Sequence, residues 1–265
     1  MEQLFKNKNI IITGGASGIG ASLTARLRGY GARVIVIGRT SRPSVKDYIQ
    51  ADMANFEEAK RAFDQAVTEM NQIDYMINSA GIFMGGEVRD TPVENWHKVI
   101  DNNIYAIAHG SHLAYQQMVH QGNGHIINIS SAAGLFPVPA MGIYGATKYA
   151  LVGLSHEMRN EGAALGVKVS VACPTIVDTP LYETALYNNM DKRRILQSRR
   201  KLQTAEVAAD KILKGIQRNQ ATIHTSVMTV GAWSLYRILP RVYDAIARRI
   251  IRRYRSGLRA EKVRK

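Results

Sequence analysis

Ile10-Ile11-Ile12-Thr13-Gly14-Gly15-Ala16-Ser17-Gly18-Ile19-Gly20 reads as a buried strand that runs through a glycine-rich turn into a helix. The order matters because a dinucleotide pyrophosphate sits where a strand ends and a helix begins. There the helix offers N–H groups without intrahelical partners and the positive end of its dipole. Gly14 lets the chain turn off the strand, Gly18 admits the phosphates close to the backbone, and Gly20 lets helix pack on strand. Ser17 and Ile19 complete the turn. Taken alone, such a turn fits an ordinary loop as well as a nucleotide seat.

Outside this stretch, short apolar runs alternate with helical spacing along the chain. Strands are expected over 9–13, 33–38, 48–52, 73–78, 124–130, 167–173 and 222–225. Helices are expected over 17–30, 55–71, 144–164 and 205–219, with one or two more within 93–120. With right-handed crossovers this alternation implies an α/β fold, a Rossmann-type doubly wound parallel sheet with helices on both faces. Residues 175–203 and those after about 226 lie outside the pattern. The chain therefore divides into a catalytic domain, 1–225, and a basic amphipathic C-terminal helical extension, 226–265.

Composition narrows the class. A chain of 265 residues with 46% hydrophobic content fits one large domain with ample core. Its one cysteine, Cys173, allows no internal disulfide and suits a reducing, cytoplasmic compartment. No secretory leader and no membrane span are expected, because the first nine residues are polar and no apolar run approaches about 18 residues. Seven scattered histidines without H-x-x-x-H spacing point to no metal site. The net charge is +14, and eleven Lys/Arg against Asp244 and Glu261 put +9 of it after residue 236.

Tyr144-Gly145-Ala146-Thr147-Lys148 places a phenol and an ammonium one helical turn apart on one face. A phenol titrating near 10 is a poor base at neutral pH, and a neighbouring ammonium favours its phenolate. Tuning of this kind makes tyrosine a usable general acid or base. A surface Tyr and Lys at this spacing is nevertheless a common pair.

In order and spacing, these motifs resemble the short-chain dehydrogenase/reductase family over roughly residues 5–225. The glycine turn matches T-G-x-x-x-G-x-G. Asn78-Ser79-Ala80-Gly81 matches N-N-A-G with Ser79 replacing the second Asn, Asn103 aligns with the active-site Asn, and Ser131 stands thirteen residues before Tyr144. The resemblance implies that Tyr144 exchanges a proton with the substrate oxygen. Lys148 would lower the tyrosine pKa and bond the nicotinamide ribose, Ser131 would polarise the substrate oxygen, and Asn103 would hold a water in a proton relay. Register against Tyr144 favours Ser131 over Ser130, and Asn102 is a plain helical Asn by comparison.

The same resemblance implies the nucleotide contacts: Asn78, Ala80 and Gly81 after the fourth strand, then Pro174, Ile176 and Thr179 after the sixth. The family pattern P-G-x-[VI]-x-T reads Pro174-Thr175-Ile176-Val177-Asp178-Thr179 here. Thr175 is β-branched and tolerates positive φ poorly, which leaves the shape of that loop open. Members using NAD carry an acid at the end of the second strand, where this chain has Gly38-Arg39-Thr40. A guanidinium there suits a 2′-phosphate and points to NADP(H), with Ser17 and Thr40 adding hydrogen bonds and Asp52 matching the adenine contact. A solvated Arg39 is the rival.

Phe83, Met84, Phe136, Val138, Met141, Tyr182, Leu186 and Tyr187 are the candidate substrate lining. Their apolar character points to a lipophilic carbonyl or secondary alcohol of steroid, retinoid, 3-oxoacyl or sphingoid type. Arg193, Arg194, Arg199, Arg200 and Lys201 form a basic stretch beyond. If 242–254 is helical, Val242, Tyr243, Ile246, Ala247, Ile250, Ile251 and Tyr254 share one face, and Arg248, Arg249, Arg252 and Arg255 the other. Such a helix suits an anionic membrane interface, placing the protein peripherally on it. Its rivals are packing on the body or a second subunit, and nucleic acid, for which no recognition motif is present. By family analogy a homodimer or homotetramer forms through helices near 105–120 and 144–163. The leading function is an NADP(H)-dependent oxidoreductase. The alternative is a catalytically quiet, membrane-associated NADP(H)-sensing or scaffold protein.

Overall fold

The computed structural model describes residues 1–193 and 202–257. Seven strands form one parallel sheet: β1 (Asn9–Thr13), β2 (Arg33–Gly38), β3 (Tyr48–Gln50), β4 (Tyr75–Asn78), β5 (Gly124–Ile129), β6 (Val167–Cys173) and β7 (Thr222–His224). Their spatial order is β3-β2-β1-β4-β5-β6-β7. The strand order reverses between β1 and β4, and a ligand crevice opens at such a switch point, beyond the carboxyl ends of the strands. Register puts those ends side by side, with Thr13 opposite Asn78 and Asn78 opposite Asn128. The segments that follow β1, β4 and β5 therefore share one edge.

Both faces of the sheet are covered, which explains the unbroken apolar runs. Side chains alternate along a strand. Ile10, Ile12, Val34 and Val36 thus meet α1 (Gly18–Gly29) and α6 (Ala205–Gln217) through Leu23, Leu27, Ile212 and Leu213. Ile11, Ile35 and Ile37 face the other way, onto α2 (Phe56–Met70) and α4 (Ala106–Gln121) through Ala62, Phe63, Leu113 and Met118.

Several boundaries differ from expectation for local reasons. β3 ends at Gln50 because Asp52 enters a turn, its Oδ1 accepting from Ala54 N–H at 3.0 Å. β4 begins at Tyr75 because the Gln121 amide takes both the N–H (3.1 Å) and the C=O (2.8 Å) of Ile73. The stretch 93–120 is α3 (Val93–Ile100) and α4, joined by a π-helical turn over Asp101–Tyr105. Wide turns of that kind often mark functional positions, and Asn103 lies in this one. α5 (Gly142–Gly162) starts two residues earlier than expected, so Tyr144 sits in its first turn.

The extension is α7 (Val227–Ile238) and α8 (Pro240–Gly257). The expected apolar face of α8 divides. Tyr243 (9% exposed) and Tyr254 (5%) are buried on the body, whereas Val242, Ile246 and Ile250 remain 46–49% exposed. Arg255, expected on the solvated face, instead pairs with Glu87 at 2.8 Å. No helix among the described residues is long and apolar enough to cross a membrane. Arg194, Arg199, Arg200, Lys201 and the tail beyond Gly257 lie outside the described residues.

Candidate active site

The turn after β1 is built by steric necessity at two glycines. Gly14 has φ +68°, and a Cβ on it would stand 2.9 Å from the backbone of Ala80. At Gly20 a Cβ would run into the carbonyl oxygen of Gly14. Thr13, fully buried, accepts from Ser79 N–H (3.2 Å) and Ala80 N–H (3.3 Å), joining the turn to the segment after β4. The first turn of α1 (Gly18, Ile19, after the N-cap Ser17) then lines a cleft of about 270 Å³.

That same cleft is lined by Gly14, Ala80, Gly81, Ser131, Tyr144, Lys148, Pro174 and Thr179. Two motifs separated by some 125 positions in sequence thus open onto one space. Tyr144 is 7% exposed, and burial pushes its phenol up to about 12, opposed by a hydrogen bond with Ser131. Lys148 is 5% exposed, and burial pulls its ammonium down to about 8. Its Nζ donates to Ile129 O at 3.3 Å and lies 5.6 Å from the Tyr144 ring centroid. The neighbouring Ser130 is spent otherwise, its hydroxyl donating to Lys148 O at 2.8 Å. Cys173 packs in the core with its thiol pushed up to about 12 by burial.

Asn103 is fully buried. Its Oδ1 accepts from Ile82 N–H at 2.8 Å, and its Nδ2 donates to Ile82 O at 3.0 Å and Thr147 Oγ1 at 3.2 Å. It thereby fixes the chain just after Gly81 against the helix that carries Tyr144. Asn102, by contrast, is a partner of Arg39 (2.9 Å) on the surface. Asn78 stands away from the cleft: it is fully buried and donates to Ser111 Oγ and Asn128 Oδ1. Its side chain locks β4 to its neighbours and so places Ser79, Ala80 and Gly81.

A family profile, short chain dehydrogenase, matches residues 8–189. An uncharacterized oxidoreductase of Staphylococcus aureus strain USA300 is 33% identical over 200 residues, covering 71% of this chain and 85% of that protein. The chain belongs to the short-chain dehydrogenase family. It is an oxidoreductase of that family, whose members use a nicotinamide cofactor. A short-chain dehydrogenase/reductase from Burkholderia phymatum in complex with NAD superposes with a TM-score of 0.77 at 25% identity, covering 90% of this chain and 95% of that one. ElxO with NADP bound superposes at 0.72 with 23% identity, covering 84% and 99%.

Within this short-chain dehydrogenase the residues expected at the outer end of the nucleotide lie apart from the main cleft. Arg39 has an exposed side chain, 3.9 Å from Asp52 Oδ2. Asp52 borders a second, open recess with Asn102, Tyr105 and Phe56. Thr40 is exposed, and its carbonyl accepts from Tyr48 Oη at 2.5 Å. Arg42, which sequence reasoning passed over, lines the main cleft beside Gly14 and Ser17. The signal for it was its place three residues beyond Arg39 in the same basic loop.

The loop after β6 accepts its threonine without strain. Thr175 has no positive φ, and its N–H donates to Thr225 Oγ1 at 3.2 Å. Ile176 is 47% exposed, whereas Thr179 is buried against Gly18.

The eight candidate lining residues separate into three groups. Phe83, Val138, Met141, Tyr182 and Tyr187 cluster around Tyr144. The Phe83 ring centroid is 4.9 Å from both Tyr144 and Tyr182, and 6.2 Å from Tyr187. Met84 and Leu186 pack instead with Val99 and Ile143, and Phe136 with Leu135 and Cys173. For Met84 and Leu186 the cause is the two-residue ribbon Met84–Gly85 with Leu186–Tyr187, along which adjacent side chains point to opposite faces.

Proposed function

We propose that this protein is an NADP(H)-dependent oxidoreductase that interconverts a lipophilic carbonyl and its secondary alcohol, with Tyr144 as general acid/base. The observation that carries the reading is the convergence of Tyr144, Ser131 and Lys148 with the glycine turn on one cleft. The cleft suits the cofactor on its own chemistry. Gly14 and Gly18 line it with bare backbone, and the first turn of α1 supplies N–H groups for an anion. When bound, the nicotinamide supplies or takes the hydride. Ser131 hydrogen-bonds and polarises the substrate oxygen, Tyr144 delivers or withdraws the proton there, and Lys148 keeps a positive charge beside the phenol. Asn103 holds the chain after Gly81 in place. The cluster of Phe83, Val138, Met141, Tyr182 and Tyr187 around Tyr144 supports an apolar substrate body. A protein that only senses nucleotide has no need of Ser131, Tyr144 and Lys148 together.

The preference for NADP(H) rests on Arg39 and Arg42, two guanidiniums at the nucleotide end with no acid ending β2. A charge-assisted contact contributes about 1.5–3 kcal/mol, so Arg39→Asp is expected to shift the NADPH/NADH ratio of kcat/KM by about ten- to a hundredfold towards NADH. An unchanged ratio removes Arg39 from the phosphate site.

A second reading concerns the outer face of α8 and is supported by Val242, Ile246 and Ile250, half-exposed beside the exposed Arg249 and Arg253. An apolar stripe flanked by arginines fits an anionic lipid surface. Ile246→Asp with Ile250→Asp leaves Tyr243 and Tyr254 on the body. Each isoleucine contributes about 1.5–3 kcal/mol when fully buried. The double variant is therefore expected to lose at least tenfold in affinity for phosphatidylserine-containing vesicles in a sedimentation assay. Equal sedimentation of variant and wild type counts against the lipid surface and leaves a second copy of the chain as the occupant.

A further inference from the structure

Three side chains of α8 hold three separate segments of the body. Tyr243 Oη donates to Pro137 O at 2.5 Å, and Tyr254 Oη donates to Asn189 O at 3.3 Å. Arg255 grips Glu87 through Nε, at 3.1 and 3.2 Å from the two carboxylate oxygens, and through Nη2 at 2.8 Å. These contacts span 106, 65 and 168 positions in sequence.

The three segments supply four of the five candidate lining side chains that cluster around Tyr144, Tyr182 being the fifth. Phe83 stands four residues before Glu87, Val138 and Met141 follow Pro137, and Tyr187 precedes Asn189 by two. They are already stitched together from within: Leu186 N–H donates to Phe83 O (3.1 Å), Asn188 N–H to Gly85 O (2.9 Å) and Gly86 N–H to Ala140 O (2.8 Å). α8 closes the same set from outside. Its firmest contact is the Glu87–Arg255 pair. The Glu87 carboxylate is only 8% exposed, and the fork geometry of a guanidinium matches it on two oxygens. Without Arg255 that carboxylate would keep Arg89, at 3.2 Å, as its remaining partner.

We propose that α8 is the outer wall of the substrate cleft, and that Arg255 with Glu87 is a positioning pair that sets the apolar end of the cleft for elongated substrates. The proposal rests on the reading of this cleft as a carbonyl-reducing site. Neither residue lines the space shared by Tyr144, Lys148 and the glycine turn, so the pair acts on substrate fit and leaves the proton step alone.

The test uses full-length wild type, Arg255→Ala, Glu87→Gln and Arg255→Lys, with NADPH and methyl ketones from 2-butanone to 2-undecanone. Arg255→Ala and Glu87→Gln are expected to raise KM for the longest ketones about tenfold, with KM for 2-butanone, kcat and NADPH affinity within about twofold. Arg255→Lys, which keeps the charge, is expected to recover part of the loss. Amide hydrogen exchange of the same proteins needs no substrate. In Arg255→Ala it is expected to quicken together in 83–87, 137–141 and 186–189. Wild-type KM across the series in Arg255→Ala overturns the proposal, as does faster exchange confined to 240–257. A wild type that reduces none of the ketones counts against the reductase reading, and the exchange result then decides the wall by itself.

Discussion

Tyr144→Phe is expected to lower turnover by about a thousandfold while leaving NADPH affinity within about threefold. The substitution keeps the ring, and with it the 4.9 Å edge contact to Phe83 and the buried packing of the first turn of α5. What disappears is the hydroxyl and its hydrogen bond with Ser131, a loss of about 1 kcal/mol in stability and so only a small change in Tm. The phenol, held near 12 by burial, is protonated throughout the neutral range. It is a weak acid, but the oxygen it serves becomes more basic than the phenolate as alkoxide character develops. Proton transfer is then downhill in the reducing direction. NADPH oxidation followed by nicotinamide absorbance, with fluorescence titration for binding, separates the two effects. Wild-type turnover in Tyr144→Phe removes the acid role.

Lys148→Met is expected to make the protein more stable and nearly inactive at once. A lysine buried to 5% exposure and pulled from 10.5 down to about 8 costs on the order of 3 kcal/mol at neutral pH. The sign follows from the direction of the shift. The folded state binds the proton less tightly than the unfolded chain, so the cost is full below about 8 and is relieved as pH rises from there towards 10.5. Methionine has a similar length and no charge to desolvate, and it gives up only the 3.3 Å bond to Ile129 O. A net gain of about 1–3 kcal/mol, or several degrees in Tm at pH 7, is expected, shrinking above pH 9. Turnover is expected to fall at least a hundredfold because the charge beside the phenol is gone. Thermal unfolding at pH 7 and 10 checks the first part, and a destabilised Lys148→Met at pH 7 contradicts it. Stability surrendered at one buried charge for the sake of activity is a common trade at functional sites.

How much of this was legible in the chain depended on whether the cause was local. Ile10 to Thr13 followed by Gly14, Gly18 and Gly20 announces its strand, turn and helix because the apolar run and the glycines act within a dozen residues. Tyr144 and Lys148 are visible as a pair because one helical turn brings them together. Met84 and Leu186 misled for the opposite reason. Which of two neighbouring residues on a ribbon faces the cleft is set by pairing between residues about 100 positions apart, and an isolated apolar residue carries no mark of it. Asn78 opens the motif at the end of β4 but is consumed by a buried network with Ser111 and Asn128. Thr175, a departure from the family pattern, is absorbed by Thr225, fifty residues away. The face of α8 was recognisable as apolar from its period, yet its division between the body and the outside follows from Pro137, Asn189 and Glu87, which no periodicity connects to it.

The central claim is that this cleft moves hydride and proton between NADPH and a lipophilic carbonyl, and the most direct measurement is product stoichiometry. Purified wild type, saturated with NADPH, is mixed with a panel of ketones, 3-oxoacyl thioesters, retinoids and steroids, and both nicotinamide oxidation and alcohol formation are quantified. The expected result is one secondary alcohol formed for each NADPH consumed with at least one lipophilic member of the panel. Firm binding of NADPH with no oxidation beyond the carbonyl-free rate across the whole panel would contradict it.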